Sequence, residues 1–421
     1  MSDCCSAPGL LPFENALENM LSQITPVTET LTLPITQALN YVLAQDIASP
    51  LNVPNHDNSA MDGYAFAIAS LQQNKTLTMV GRSMAGAPFK GECKLGECIR
   101  IMTGAKMPAC CDSVEMQENV QADGESITFF KGKELAGKEQ KEKKLGSHVR
   151  KAGEDIQLGQ HVLNQGQQLS AIDIGILASL GVSEVQVFRK LKVALIATGD
   201  ELKLPGQALN SGDIYESNSF VLRGMLDKLH IDVIDFGIIE DDFEAIKAAF
   251  VSADSQADAV ISSGGVSVGD ADYTKTVLDD LGEIGFWKIA MKPGKPFAFG
   301  KLPHSVFFGL PGNPVSALVT FHQLAIVALT KMQNAQALQR THLQVKCVSN
   351  LKKSPGRMDF QRGVLSINDA GENVVESTGS QGSGILSSLA RANCFIVLAS
   401  EQGKVNAGEM VAVQLFDQFI C

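Results

Sequence analysis

The run Ala259-Val260-Ile261-Ser262-Ser263-Gly264-Gly265-Val266-Ser267-Val268-Gly269-Asp270-Ala271-Asp272-Tyr273-Thr274-Lys275 decides how this chain folds. A short apolar stretch reads as a buried strand. A glycine and serine turn stops it, and a helix-like segment follows. Such a turn leaves backbone N–H groups free at a helix N-terminus, where an anion can sit. Farther on, Lys288-Ile289-Ala290-Met291-Lys292-Pro293-Gly294-Lys295-Pro296 brings three cationic side chains close together in sequence. Gly309-Leu310-Pro311-Gly312-Asn313-Pro314 then makes a second tight turn before another helical pattern. Phosphate cradle, carboxylates and lysines in one segment suit a phosphorylated substrate held with a divalent cation.

The same punctuation recurs upstream. Lys192 to Thr198 reads as a buried strand followed by Gly199-Asp200-Glu201, and Tyr215 to Leu229 as a helix. Asp232 to Ile239 is the next strand. It ends in Glu240-Asp241-Asp242, and Phe243 to Phe250 is helical. Strand and helix in alternation predict a doubly wound α/β domain over residues 188–335. Ligands of such sheets bind beyond the carboxyl ends of the strands. Glu201, Asp241 and Asp272 all fall at that edge. Each alone reads as a helix N-cap; three at successive strand ends, beside the lysines, read as a site.

Outward from this domain, Phe13, Leu17, Met20, Leu21 and Ile24 recur at helical spacing between Pro12 and Pro26. Residues Thr76 to about Phe130 turn β-like. Cys98 to Met102 forms a strand that ends in Thr103-Gly104-Ala105, read locally as a turn. Lys131 to Lys144 is lysine and glutamate with little to bury, an exposed extension. A helix is expected over Ser170–Gly181, with Ser170 as N-cap and Gly181 at C′. If it rejoins the first helix, the β-rich part is an insertion between them. From about Thr341 the pattern is again β-like and predicts a small β domain, with Gly356-Arg357 and Gly379 to Ser383 in its turns.

Composition sets the bounds. A chain of 421 residues divides into several domains. Its net charge of −11 argues against sequence-independent nucleic-acid binding. No apolar run reads as long enough to cross a bilayer, and the first residues carry no secretory pattern. Nine cysteines form no disulfide framework; Cys4-Cys5 and Cys110-Cys111 are adjacent pairs, and Cys93 and Cys98 lack partners at zinc-like spacing. Reduced thiols in the cytoplasm are the expectation.

Six ordered stretches carry a resemblance over nearly the whole chain. They are Asp57-Asn58-Ser59-Ala60-Met61-Asp62-Gly63-Tyr64, Ile101-Met102-Thr103-Gly104-Ala105, Thr198-Gly199-Asp200-Glu201-Leu202, Ser263 to Gly269, Lys292-Pro293-Gly294-Lys295-Pro296 and Gly309 to Pro314. Together they resemble the MoeA-type molybdopterin molybdenumtransferases, which include the E domains of gephyrin. The resemblance implies an α/β multidomain protein with four parts. A discontinuous helical domain covers residues 1–50 and 151–187, and an inserted β-rich domain residues 51–150. A molybdopterin-binding α/β domain spans residues 188–335, and a C-terminal β-barrel residues 340–421. The extension at Lys131–Lys144 is longer than the bacterial pattern.

The resemblance further implies insertion of molybdenum from molybdate into adenylylated molybdopterin, with Mg²⁺ and release of AMP. Glu201, Asp241 and Asp272 would hold or orient Mg²⁺. Lys288, Lys292 and Lys295 would offset phosphate charge, and Gly264, Gly265, Ser267 and Gly269, with Pro311 and Pro314, would line the substrate. Lys295, Arg357 and Ser383 are candidates for molybdate. Asp62 and Thr103 match active-site positions and would act across a homodimer whose sites are shared between subunits. A separate molybdopterin adenylyltransferase and acceptors of the finished cofactor are the expected partners, with no nucleic acid and no membrane. Two other functions share parts of the pattern: the adenylyltransferase, similar to the α/β domain alone, and a receptor-clustering scaffold. The flanking domains favour the transferase over the first. Retained acids and lysines at every motif favour it over the second.

Overall fold

The computed structural model describes residues 9–130, 144–265 and 273–420. Ser267, Gly269, Asp272 and nearly all of the lysine-rich extension lie outside the described residues. Two compact units emerge. One comprises Met1–Ala44, Gly166–Ser170 and Val185–Cys421, and the other Gln45–Gln165 and Ala171–Glu184.

The larger unit is built on a six-stranded sheet. Its strand order is Asp232–Ile239, Lys192–Thr198, Ala259–Ser263, Val306–Leu310, Pro296–Lys301 and Glu283–Lys288. The first four run parallel, and the last two pair antiparallel. Strand periodicity divides the side chains between two faces. Val193, Leu195 and Ile261 pack in one core with Leu222 and Leu226 of helix Asn218–Lys228 and with the helix beginning at Pro314. Ala194, Ile196 and Val260 pack in the other with Ile246 and Phe250 of helix Phe243–Gln256 and with Val277 and Leu278 of helix Tyr273–Leu281. Helices on both faces make the sheet doubly wound. The two antiparallel strands were not legible as such, because each is short and interrupted by glycine or proline.

At the sheet's open edge the register slips between Leu195 and Ile196 opposite Asp235 and Gly237. Gly237 takes a φ of +70°, and its N–H donates to Asp235 Oδ1 at 2.8 Å. A glycine is what such a bulge favours. Helix Phe13–Ser22 buries Ala16 and Met20 and packs against the helical segment Ile326–Met332.

Pro314–Met332 is the one helix among the described residues long and apolar enough to cross a membrane, with 89% of it buried within the protein. Ser316, Thr320, His322 and Gln323 interrupt its apolar run, which is why the sequence did not expose it. All four are buried here, and the burial marks a core helix.

The C-terminal part closes into a barrel. Met358–Ile367 pairs with both Asn373–Ser377 and Cys394–Leu398. The circuit continues through Met410–Leu415 and His342–Cys347 back to Asn373–Ser377. Val345, Val375, Ile396, Leu398, Val411 and Val413 fill it. Met291–Lys292 adds to the barrel by pairing with Met358–Asp359, which ties the lysine segment of the α/β domain to the barrel wall.

The smaller unit holds a six-stranded sheet ordered Ser113–Met116, Gly63–Phe66, Glu97–Ile101, Thr76–Ser83, Ser126–Phe129 and Val120–Asp123. The chain enters and leaves it as an antiparallel ribbon. Ile47 and Ala48 pair with Leu163 and His161, Val53 bridges Ile156, and Asn58 and Ser59 pair with Arg150 and Val149. A ribbon of this kind is how an inserted domain is closed at its base. Helix Ala171–Ser179 belongs to this unit and Phe13–Ser22 to the larger one.

Candidate functional site

Strands end where their apolar run stops, and here four stop together. Thr198, Ile239, Ser263 and Leu310 finish on the same edge of the parallel sheet. A cavity of about 870 Å³ opens beyond them. Its lining includes Thr198, Glu201, Asp241, Gly264 and Gly265 from the strand ends, with Pro311 and Pro314 from the second turn.

Gly264 and Gly265 turn with φ of +96° and +64°. A side chain at Gly264 would place its Cβ 2.8 Å from the Thr198 carbonyl oxygen, and one at Gly265 would meet Thr274 Oγ1 at 2.3 Å. Neither position tolerates one. The Gly264 N–H donates to the Leu310 carbonyl at 3.1 Å, so this donor is already used. Gly264 therefore serves close approach of backbone. Thr198 is 6% exposed, and its Oγ1 has no hydrogen-bond partner among the described residues. An orphaned hydroxyl beside the turn is a built-in contact for a bound group.

Glu201 folds back over Gly199, where an added Cβ would lie 2.6 Å from its Oε2. The Asp241 N–H donates to Asp200 Oδ1 at 2.9 Å. Burial, with the Asp200 and Glu201 carboxylates as neighbours, raises the Asp241 pKa above the ordinary aspartate value. Glu201 and Asp241 thus share the cavity in mutual repulsion, which a divalent cation would relieve. Oxygen donors of this kind fit Mg²⁺.

The second turn is fixed to the first. Asn218 Nδ2 donates to Ser263 Oγ and to the Gly312 carbonyl, each at 2.8 Å. The Val315 N–H at the helix start donates to the Ser383 carbonyl at 3.0 Å, and Gly384 joins the cavity lining. Ser383 is therefore brought beside Pro314. Asn218 and Glu216 escaped the sequence reading, which took this stretch as plain helix. The only signal was an acid and an amide at a helix start.

The lysines do not act as one cluster. Lys288 is exposed and lines a different cavity, with Leu11, Asn19 and Trp287. Lys295 is exposed, and its carbonyl accepts the Ile289 N–H at 2.8 Å. Lys292 faces the barrel, 3.6 Å from Asp359, whose own side chain is 5% exposed. Arg357 is half-buried in the bend just before strand Met358–Ile367. Lys353, absent from the sequence-derived set, completes a basic group. Its pKa is lowered, by burial first, with Lys292 and Arg357 as repelling neighbours and Asp359 and Glu401 opposing them.

Asp62 and Thr103 meet in the smaller unit. Thr103 donates both its N–H and its hydroxyl to Asp62 Oδ1, each at 2.7 Å. The N–H, then the hydroxyl, hold the Asp62 pKa below the ordinary value, with Arg100 nearby. A charged carboxylate is thus fixed at the surface.

Comparison with known proteins agrees with this architecture. Residues 11–181 match the family model described as MoeA N-terminal region (domain I and II), residues 194–331 the probable molybdopterin binding domain, and residues 344–416 the MoeA C-terminal region (domain IV). Fold and site thus define an α/β multidomain protein with a molybdopterin-binding domain. A molybdopterin molybdenumtransferase of Haemophilus influenzae is 47% identical over 98% of this chain and 100% of its own length. Gephyrin of Dictyostelium discoideum is 31% identical over 96% of this chain and 62% of its own. The crystal structure of a molybdopterin biosynthesis moeA protein from Pyrococcus horikoshii superposes with a TM-score of 0.82 at 29% identity, covering 97% of this chain and all of that one. The chain belongs to the MoeA family of molybdopterin molybdenumtransferases, enzymes of molybdenum cofactor biosynthesis.

Proposed function

We propose that the chain inserts molybdenum from molybdate into adenylylated molybdopterin with release of AMP, in a Mg²⁺-dependent reaction. The observation that carries this reading is the single cavity that gathers Thr198, Glu201, Asp241, the Gly264–Gly265 turn and the Pro311–Pro314 turn. Its volume suits a nucleotide-sized ligand.

Glu201 and Asp241, with Asp272, would hold Mg²⁺, which draws off charge as the phosphoanhydride breaks. Thr198 Oγ1 binds and orients the phosphates beside the Gly264–Gly265 turn. Pro311 and Pro314 shape the opposite wall, and Asn218 keeps the two turns in register. Lys292, Lys353 and Arg357 offer a cationic patch for molybdate, assisted by Lys295 and Ser383. Asp359 holds Lys292 in place. We further read the active form as a homodimer in which Asp62 and Thr103 act from a partner subunit. The adenylylated substrate would then come from a separate adenylyltransferase, and the product would pass to cofactor acceptor proteins. The free thiols accord with a cytoplasmic setting.

Asp241→Asn tests the reading with purified adenylylated molybdopterin, molybdate and a range of Mg²⁺. A cation's charge stabilisation amounts to several kcal/mol, so turnover should fall by at least about 100-fold in a folded protein. Asp272→Asn should behave alike. Wild-type turnover by a folded Asp241→Asn enzyme at limiting Mg²⁺ would remove the metal assignment.

A further inference from the structure

Away from the cavity, the smaller unit assembles a group of thiols. The Sγ atoms of Cys93, Cys110 and Cys111 all lie within 4.8 Å of one another, and those of Cys110 and Cys111 are 3.8 Å apart. Cys93 sits on the loop between strands Thr76–Ser83 and Glu97–Ile101. Cys110 and Cys111 occupy the turn before Ser113–Met116, closed by the Cys111 N–H on the Pro108 carbonyl at 2.9 Å. Sequence spacing gave these residues no partners; the fold supplies them. Cys98 stands apart from the three. It packs with Tyr64 and Phe66 on one face of the sheet, whereas Cys93 and Cys111 pack against Ile99 and Ile101 on the other.

The 3.8 Å between Cys110 and Cys111 matches a metal centre, and Cys93 lies within 4.8 Å of both. With a metal–sulfur bond of about 2.3 Å, sulfurs around one ion lie about 3.8 Å apart in a tetrahedron and about 4.0 Å apart in a trigonal plane. The donors are all sulfur, which selects soft cations over Mg²⁺ or Ca²⁺. Cys93 and Cys110 are only partly buried, which leaves an ion a way in. Cys93 and Cys111 are poor nucleophiles: burial pushes Cys93 up to about 12 and Cys111 higher still. A reactive or redox cysteine needs the opposite shift. A soft cation instead displaces the protons on binding, so its uptake is pH-dependent.

We propose that Cys93, Cys110 and Cys111 form a site for one soft thiophilic cation in the inserted β-rich domain, separate from the molybdopterin cavity. The full-length protein, reduced and metal-free, would be titrated with Cu(I) in competition with bicinchoninate, and with Zn(II) in competition with a chromophoric chelator. One equivalent should bind in at least one arm, and the arms decide which ion. Alkylation followed by mass spectrometry should show Cys93, Cys110 and Cys111 becoming protected together at that equivalent. X-ray absorption should show sulfur neighbours at about 2.3 Å. Losing an outer-shell partner costs about 10–100-fold in affinity, so Cys110→Ser should cost at least about 100-fold. The alkylation map needs only the wild-type protein and stands even if a variant misfolds. The proposal is overturned if neither ion binds, if protection falls on Cys4 and Cys5 instead, or if folded Cys110→Ser binds as tightly as wild type.

Discussion

Gly265→Ala is the perturbation that most directly tests how the cavity is built. The backbone there has a φ of +64°, which costs a residue with a Cβ about 1–2 kcal/mol. The new Cβ would also sit 2.3 Å from Thr274 Oγ1 and 2.8 Å from Thr274 Cβ. Thr274 is 1% exposed and stands on a helix whose Val277 and Leu278 are fully buried, so it has little room to yield. Forcing extra volume into a packed site costs about 1–3 kcal/mol more. The total is about 2–5 kcal/mol. Gly206→Ala supplies the control, because Gly206 has a φ of +93° but nothing within 4 Å of an added Cβ. It should lose the backbone share alone. Urea unfolding of both variants, following the transition of the α/β domain, separates the two contributions. AMP binding gives the functional readout. A turn displaced by a fraction of an ångström should weaken it at least tenfold in Gly265→Ala and leave it intact in Gly206→Ala. Equal destabilisation of the two variants would refute the steric argument.

Other outcomes follow from single contacts. Asp258 is chelated by Arg189 through both guanidinium NH groups, at 2.8 and 2.7 Å, and accepts the Lys192 N–H at 2.7 Å. Burial alone would raise its pKa, but these partners bring it net below the ordinary value. Its stabilisation is therefore present above the unfolded aspartate pKa of about 3.9 and lost as pH falls through the lower folded value. Asp258→Asn should cost about 1–3 kcal/mol at neutral pH and flatten the acid limb of stability against pH; an unchanged limb would reject the pairing as its source. Lys353→Met should raise KM for molybdate at least tenfold, as loss of a charge-assisted contact does, without weakening AMP binding; an unchanged KM removes Lys353 from the site. Mixing Asp62→Ala with Asp241→Asn chains should restore activity if the site is shared across a dimer. Inactivity of a heterodimer confirmed by mass spectrometry would place both residues within one chain's site.

The α/β domain was legible because its signals are local. Lys192–Thr198 and Ala259–Ser263 are continuous apolar runs, and each ends in glycine where a parallel strand must release the chain. The acids at Glu201 and Asp241 could be placed on one edge because the parallel topology puts all carboxyl ends there. What escaped depends on contacts distant in sequence. Lys353 becomes part of a basic group only because Met291–Lys292 pairs with Met358–Asp359. Lys288 looked equivalent to Lys292, yet one lines a different cavity while the other faces the barrel. Strand alternation would put residues four apart on one face, but these two sit on different strands, Glu283–Lys288 and Met291–Lys292. The thiol group is the same case. Cys93 and Cys110 are joined by a sheet and not by spacing.

The proposed site would also let an acidic chain serve anionic substrates. Three features of the larger unit are individually unfavourable without a ligand. Thr198 Oγ1 is buried with no partner among the described residues, which costs about 1–3 kcal/mol. Asp241 is held near Glu201 and Asp200 with its proton affinity raised. Lys353 is partly buried beside Lys292 and Arg357 with its own proton affinity lowered. The acids and the bases could neutralise each other only if they met, and the fold keeps them on different elements, at strand ends and on the barrel wall. A cation at the first group and an oxyanion at the second would each supply countercharge where burial has shifted proton affinity. Stability should therefore rise on binding at either place, and more than additively if one ligand's charge attracts the other's. Thermal unfolding with Mg²⁺ alone, molybdate alone and both together measures this. Shifts that merely add would show the two groups to be electrostatically independent.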